Sequence, residues 1–182
     1  MHRKKPLPPN RPILQCSVSQ LPAIQKIFND AILHSTALYE YVPRDEEVMQ
    51  AWLASKQRNN IPVLGIEWEP GVLAGFATWG PFRPRAAYKY SVEHSVYVDE
   101  QFRGEGIGRQ LLQALIVTAE QHKLHSLIAG IDATNVASVA LHSSLGFHCC
   151  GTVREAGYKF GKWLDLEFWQ IILPTPSNPK DG

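Results

Sequence analysis

From Ser91 to Gln110 the chain reads Ser-Val-Glu-His-Ser-Val-Tyr-Val-Asp-Glu-Gln-Phe-Arg-Gly-Glu-Gly-Ile-Gly-Arg-Gln. A β-rich run ends at Val98, and glycines at 104, 106 and 108 then open a segment with Ile107, Leu111, Leu112, Leu115 and Ile116 on one helical stripe. The pattern predicts a strand, a glycine turn and a helix. Glycine permits positive backbone dihedrals and lets a ligand approach main-chain amides that no side chain shields. The first amides of a helix lack internal partners and sit at the positive end of its dipole, which makes such a turn a seat for phosphate. A pyrophosphate site is therefore expected, with Arg103 and Arg109 adding charge.

Spacing narrows the ligand. A dinucleotide fingerprint needs Gly-x-Gly-x-x-Gly and an acidic residue about 20 positions on, but these glycines alternate and the stretch near Ile128 is apolar. A P-loop ends in Gly-Lys-Ser/Thr, whereas Gly108 precedes Arg109 and Gln110. Arg103-x-x-Gly106-x-Gly108 instead resembles the pyrophosphate-binding motif of the GCN5-related N-acetyltransferases, the GNAT superfamily, whose ligand is acetyl-coenzyme A. Asn135-x-x-Ser138-x-x-Leu141-His142-x-x-Leu145-Gly146-Phe147 is similar to that superfamily's second coenzyme A motif. Glu93 to Val98 and Gly157 to Asp165 resemble one branch, the phosphinothricin and methionine sulfoximine acetyltransferases. The resemblance extends over residues 12 to 174.

The rest of the chain sets the frame. A length of 182 residues suits one domain with a sizeable core. A net charge of +1 with signs mixed argues against a nucleic-acid binder. Cys16, Cys149 and Cys150 form no Cys-x-x-Cys pair, so neither a disulfide framework nor a metal site is indicated. With no apolar run of ~18 residues and no signal-peptide core, no membrane association and a cytoplasmic location are expected.

Residues 1–12, with basic residues followed by prolines, are expected to be a flexible extension, and 174–182 a flexible tail around one domain at 13–173. Strands are predicted at 13–18, 63–68, 72–79, near 148–153 and at 164–173, the Glu69-Pro70-Gly71 stretch marking a hairpin. Helices are predicted at 21–33, at 45 to about 58, and after Thr134 or Asn135. The run 125–132 reads as a buried strand parallel to the central one through a helical crossover. The fold class is α/β. The resemblance implies a GNAT fold, a mostly antiparallel central sheet with one parallel pair, flanked by helices. That pair should splay at its carboxyl ends to admit the pantetheine arm.

The chemistry expected is attack of an unprotonated amine on the acetyl thioester. Glu93, on a strand of otherwise alternating apolar residues, is the candidate base, with burial raising its pKa. In the resembling family the matching Glu has this role. Amides near Val96 would meet the thioester oxygen, and those of Val96 and Val98 would bind the arm as an added strand. The resemblance implies cofactor contacts from Val96, Tyr97, Val98, Arg103, Gly104, Glu105, Gly106, Ile107, Gly108, Arg109, Asn135, Ser138 and Ser144. His142 stands where many relatives carry a Tyr that protonates the thiolate. It reads either as that acid or as a cofactor-side contact.

The implied acceptor is the α-amine of a small amino acid or analogue. Arg83 and Arg85 would hold its acidic groups, with Tyr88, Leu38 and Glu40 as walls and Lys159 reaching in, from a partner subunit if the protein is a homodimer as the branch commonly is. A peptide N-terminal acetyltransferase and a non-enzymatic acetyl-coenzyme A sensor are the alternatives. Glu93 argues against the sensor, and the arginines favour a small acceptor.

Overall fold

The computed structural model describes residues 11–181. Seven strands form one mixed sheet: β1 (Leu14–Gln15), β2 (Val63–Glu69), β3 (Val72–Pro81), β4 (Ser91–Val98), β5 (Ser126–Asp132), β6 (His148–Lys159) and β7 (Lys162–Ile172). Their order across the sheet is β1-β2-β3-β4-β5-β7-β6. Helices α1 (Leu21–His34), α2 (Glu46–Arg58), α3 (Ile107–Gln121) and α4 (Val136–Ser144) flank it. Every neighbouring pair is antiparallel except β4 and β5.

Two apolar clusters account for the layering. Leu111, Leu112 and Leu115 of α3 bury their stripe against Ala77, Val92 and Leu127. On the other side Ile24, Ile27 and Phe28 of α1 and Met49 and Leu53 of α2 meet Val63 and Phe76. Strand alternation divides β4 between them. Val92, Val96 and Val98 face α3, while Tyr97 packs on Phe28 and Phe76 with centroids 5.1 and 5.4 Å away. Glu93 and Ser95 share the Tyr97 face, and His94 lies on the α3 face.

The ends of several elements differ from expectation. β1 is only two residues long, because at Ser17 the chain turns into a capping box with Gln20 instead of continuing extended. β6 runs to Lys159, well past the predicted 153, and β7 starts at Lys162. Phe160 and Gly161 both adopt positive φ, 52° and 74°, the backbone of a two-residue hairpin turn. Of the expected N-terminal extension, residues 1–10 lie outside the described residues. Arg11 is docked, its guanidinium 4.0 Å from the Trp68 ring centroid and its amide donating to Gln110 Oε1 at 3.1 Å. In the C-terminal segment, Thr175 Oγ1 donates to the Leu124 carbonyl and His125 Nδ1 lies 2.8 Å from the Thr175 carbonyl.

Candidate active site

β4 and β5 pair only through Ser91, Val92 and Glu93 against Ser126, Leu127 and Ile128. Beyond Glu93 they part, so one edge of the β4 main chain from His94 to Val98 opens toward a cleft. The splay expected from the sequence is present. Into its mouth points the start of α3. Gly104 and Gly106 have φ of +81° and +76°, values that side chains resist, and Gly106 caps the helix with no side-chain hydrogen bond. The first amides of α3 are therefore left for a ligand. Gly108 serves differently: a Cβ there would sit 3.4 Å from Leu141 Cδ2, so its smallness lets α3 lie close to α4.

The cleft has a volume of about 830 Å³. Val96, Tyr97, Val98, Arg103, Gly104, Gly106, Ile107, Gly108 and Arg109 line one wall, and Asn135, Ser138 and His142 the other. Asn135 caps α4, its side chain accepting from the Ser138 amide at 3.1 Å. Glu105 and Ser144 are not among the lining residues. Ser144 Oγ instead accepts from Arg109 Nη1 at 2.8 Å, tying the arginine to α4. An uncapped helix start, two arginines and an open strand edge fit an elongated ligand that carries a pyrophosphate at one end and amide groups along its arm.

Glu93 sits where the strands part. Its Oε1 is 3.0 Å from the point where a Cβ on Gly130 of β5 would stand. Burial pushes its pKa up, partly opposed by the Arg83 charge. On the opposite face, the His94 and His142 rings meet with Nε2 atoms 3.0 Å apart. Both are buried, and burial lowers both pKa values, that of His94 to about 3. A small cavity of about 80 Å³ between the splayed strands touches Ser95, Val96, Gly130 and Asp132 as well as both rings. The arrangement places one candidate base on one face of the seam and a neutral imidazole pair on the other.

A family model for the acetyltransferase (GNAT) domain matches residues 18–168. The chain belongs to the GNAT acetyltransferases. The L-methionine sulfoximine/L-methionine sulfone acetyltransferase of Pseudomonas paraeruginosa is 43% identical over 168 residues, covering 92% of this chain and 98% of that protein. The phosphinothricin N-acetyltransferase of Alcaligenes faecalis is 37% identical over 162 residues, 88% of this chain and 80% of the relative. A GNAT phosphinothricin acetyltransferase from Sinorhizobium meliloti, solved in complex with AcCoA, matches with a TM-score of 0.89 at 31% identity, covering 94% of this chain and 93% of that one.

The residues expected to bind the acceptor in this GNAT chain fall into two places. Arg83, Arg85 and Tyr88 line a second cavity, of about 700 Å³, together with Trp52 and Lys56. Arg83 lies over the Phe82 ring at 4.3 Å and is near enough for its charge to act on Glu93. Leu38 and Glu40 belong to the loop after α1, and Lys159 ends β6 against that loop. Lys159 is only 4% exposed. Its Nζ donates to the carbonyls of Ser35 at 2.8 Å and Leu38 at 2.6 Å, which ties the loop to β6. This lysine does not reach into an acceptor pocket as expected. Two of its three N–H groups are given to main-chain oxygens. Glu40 likewise receives Arg44, with Nε–Oε2 at 3.0 Å and Nη2–Oε1 at 2.5 Å.

Other residues of the site were not anticipated. Ala31, Ser35 and Thr36 line the large cleft from α1 and its following loop, and Phe160 and Lys162 do so from the β6–β7 hairpin. Arg44 stacks on Phe28 at 4.0 Å and keeps a buried Nη1 without a hydrogen-bond partner among the described residues. His94 stands next to the candidate base in sequence but on the other face. Strand alternation alone carries that last signal, since neighbours in a strand point apart.

Proposed function

We propose that this chain transfers the acetyl group of acetyl-CoA directly to the α-amine of a small amino acid or amino-acid analogue of the phosphinothricin or methionine sulfoximine type. The names of the relatives support this acceptor class, and the acetyl-CoA bound in the Sinorhizobium meliloti neighbour supports the donor. The observation that carries the reading is the Glu93 carboxylate at the parting of β4 and β5, with a raised pKa and beside a glycine that leaves it room.

The roles follow from that geometry. Acetyl-CoA supplies an activated acyl group. The uncapped α3 amides with Arg103 and Arg109 bind its pyrophosphate, and the open β4 edge at Val96 and Val98 binds its arm. An amide of that edge stabilises the negative charge that develops on the carbonyl oxygen, a contact whose loss typically costs about 10²- to 10³-fold in rate. Glu93 removes the amine proton, and Arg83 and Arg85 attract the acceptor's acidic groups. The protein acts as a homodimer in the cytoplasm. The exposed Tyr158, Phe160 and Trp163 at the β6–β7 hairpin supply apolar surface for a second copy.

The test is coenzyme A release from acetyl-CoA with purified protein against free amino acids, phosphinothricin, methionine sulfoximine and short peptides. Turnover confined to amino acids and their analogues is the expected result. Turnover on peptides alone, or binding without transfer, would overturn it.

A further inference from the structure

His94 and His142, separated by 48 positions, carry an assignment of protons that the distances fix. Two bare nitrogens cannot hydrogen-bond, so one hydrogen lies between the Nε2 atoms, 3.0 Å apart. The other nitrogen of His142 decides which ring holds it. His142 Nδ1 lies 2.7 Å from the main-chain oxygen of Ser138, an atom that can only accept. Nδ1 therefore carries the hydrogen, a neutral His142 has a bare Nε2, and a neutral His94 donates to it, its own buried Nδ1 being bare and without a partner among the described residues. Charging either ring is opposed by burial, with 5% of His94 and 4% of His142 exposed. Phe147 covers both rings at centroid distances of 5.2 and 5.1 Å. Of the titratable residues lining the small cavity with them, Asp132 belongs to β5, while Tyr97 of β4 turns its ring away toward Phe28 and Phe76.

The ring that lines the cofactor cleft thus has no proton to give into it. Its one N–H is engaged by Ser138 and its lone pair by His94. We propose that His94 is a positioning residue that, together with the Ser138 carbonyl, holds His142 as a neutral, Nδ1-protonated ring, so that the coenzyme A thiolate departs without a proton from His142. This rests on reading the cleft as the acetyl-CoA site. In the transfer the N–C bond forms and the C–S bond breaks, the amine proton goes to Glu93, and the sulfur leaves with the electron pair and takes its proton from water. A thiol pKa near ~8.5 makes such a departure feasible.

The experiment is histidine ¹⁵N NMR on the full chain from pH 6 to 9, with kcat measured over the same range. His142 should show a protonated Nδ1 and a bare Nε2 throughout. His94→Phe should keep the Nδ1 proton, which Ser138 still accepts, but lose the pH-independent signal of a bare, engaged Nε2. His94→Gln, whose amide N–H can replace the donor, should restore it. The His142→Gln variant should keep the shape of the wild-type kcat profile. A protonated His142 Nε2, or an alkaline limb of kcat that disappears in His142→Gln with the ~10²-fold loss expected of a general acid, would overturn the proposal. The NMR readout needs no acceptor, so a protein that transferred no acetyl group would refute the proposed activity and still leave the tautomer decided.

Discussion

Glu93 Oε1 lies 3.0 Å from the position a Gly130 Cβ would take, so the proposed base on one strand depends on the absence of a side chain on the next. That separation is tighter than ordinary van der Waals contact, and the Gly130→Ala methyl must push the carboxylate away by a few tenths of an ångström. We expect a lower kcat with coenzyme A affinity unchanged, because Gly130 does not border the α3 turn. Steady-state kinetics with calorimetric titration of coenzyme A would separate the two. An unchanged kcat would mean that the carboxylate's position is not critical.

Glu93→Gln should bind coenzyme A normally and lose about 10²-fold or more in kcat. The wild-type rate should fall as pH drops through the raised Glu93 pKa, since the base must be ionised, and the variant should lack that limb. Stability should change in the opposite sense. A carboxyl whose folded pKa exceeds its unfolded value contributes stability below the unfolded pKa and loses it as pH rises through the folded one. At neutral pH the uncharged Gln therefore melts higher than Glu93. A melting temperature that falls at neutral pH would contradict the burial assigned to this group.

Much of this site was legible in the sequence because its parts are local. The strand, glycine turn and helix from Ser91 to Gln110 place the β4 edge and the α3 amides within one contiguous stretch, and periodicity and glycine chemistry suffice to read it. Side-chain direction across distant elements was not legible. Lys159 looks like a functional lysine in its hairpin, yet the loop after α1 folds back over it and engages two of its three N–H groups. His94 and Glu93 are adjacent letters, and only the sheet shows that one joins α4 while the other faces α1. The short β1 and long β6 were missed because Ser17 caps a turn and because Phe160 at positive φ gives no glycine signal of its own.

Lys159→Met tests the loop tie. Two half-buried carbonyls, of Ser35 and Leu38, would lose this donor, at no more than about 1–3 kcal/mol, since water can partly replace it. We expect a lower melting temperature and faster proteolysis in the 35–43 loop. A rise in KM for acetyl-CoA should follow, since Ser35 and Thr36 border that cleft. If KM for acetyl-CoA stayed constant while stability fell, the loop would be structural only.

Gly106→Val bears on the cofactor seat. Gly106 caps α3 at φ +76°, and a β-branched residue held in that region costs of order 1–3 kcal/mol. Either the backbone keeps its shape and the valine side chain crowds the pyrophosphate, or it relaxes and the first amides of α3 turn away from the cleft. Both routes weaken coenzyme A binding, whereas the Glu93 face is untouched, so KM for acetyl-CoA should rise far more than KM for the acceptor. A calorimetric titration of coenzyme A that matched the unaltered protein would remove the α3 turn from its proposed role.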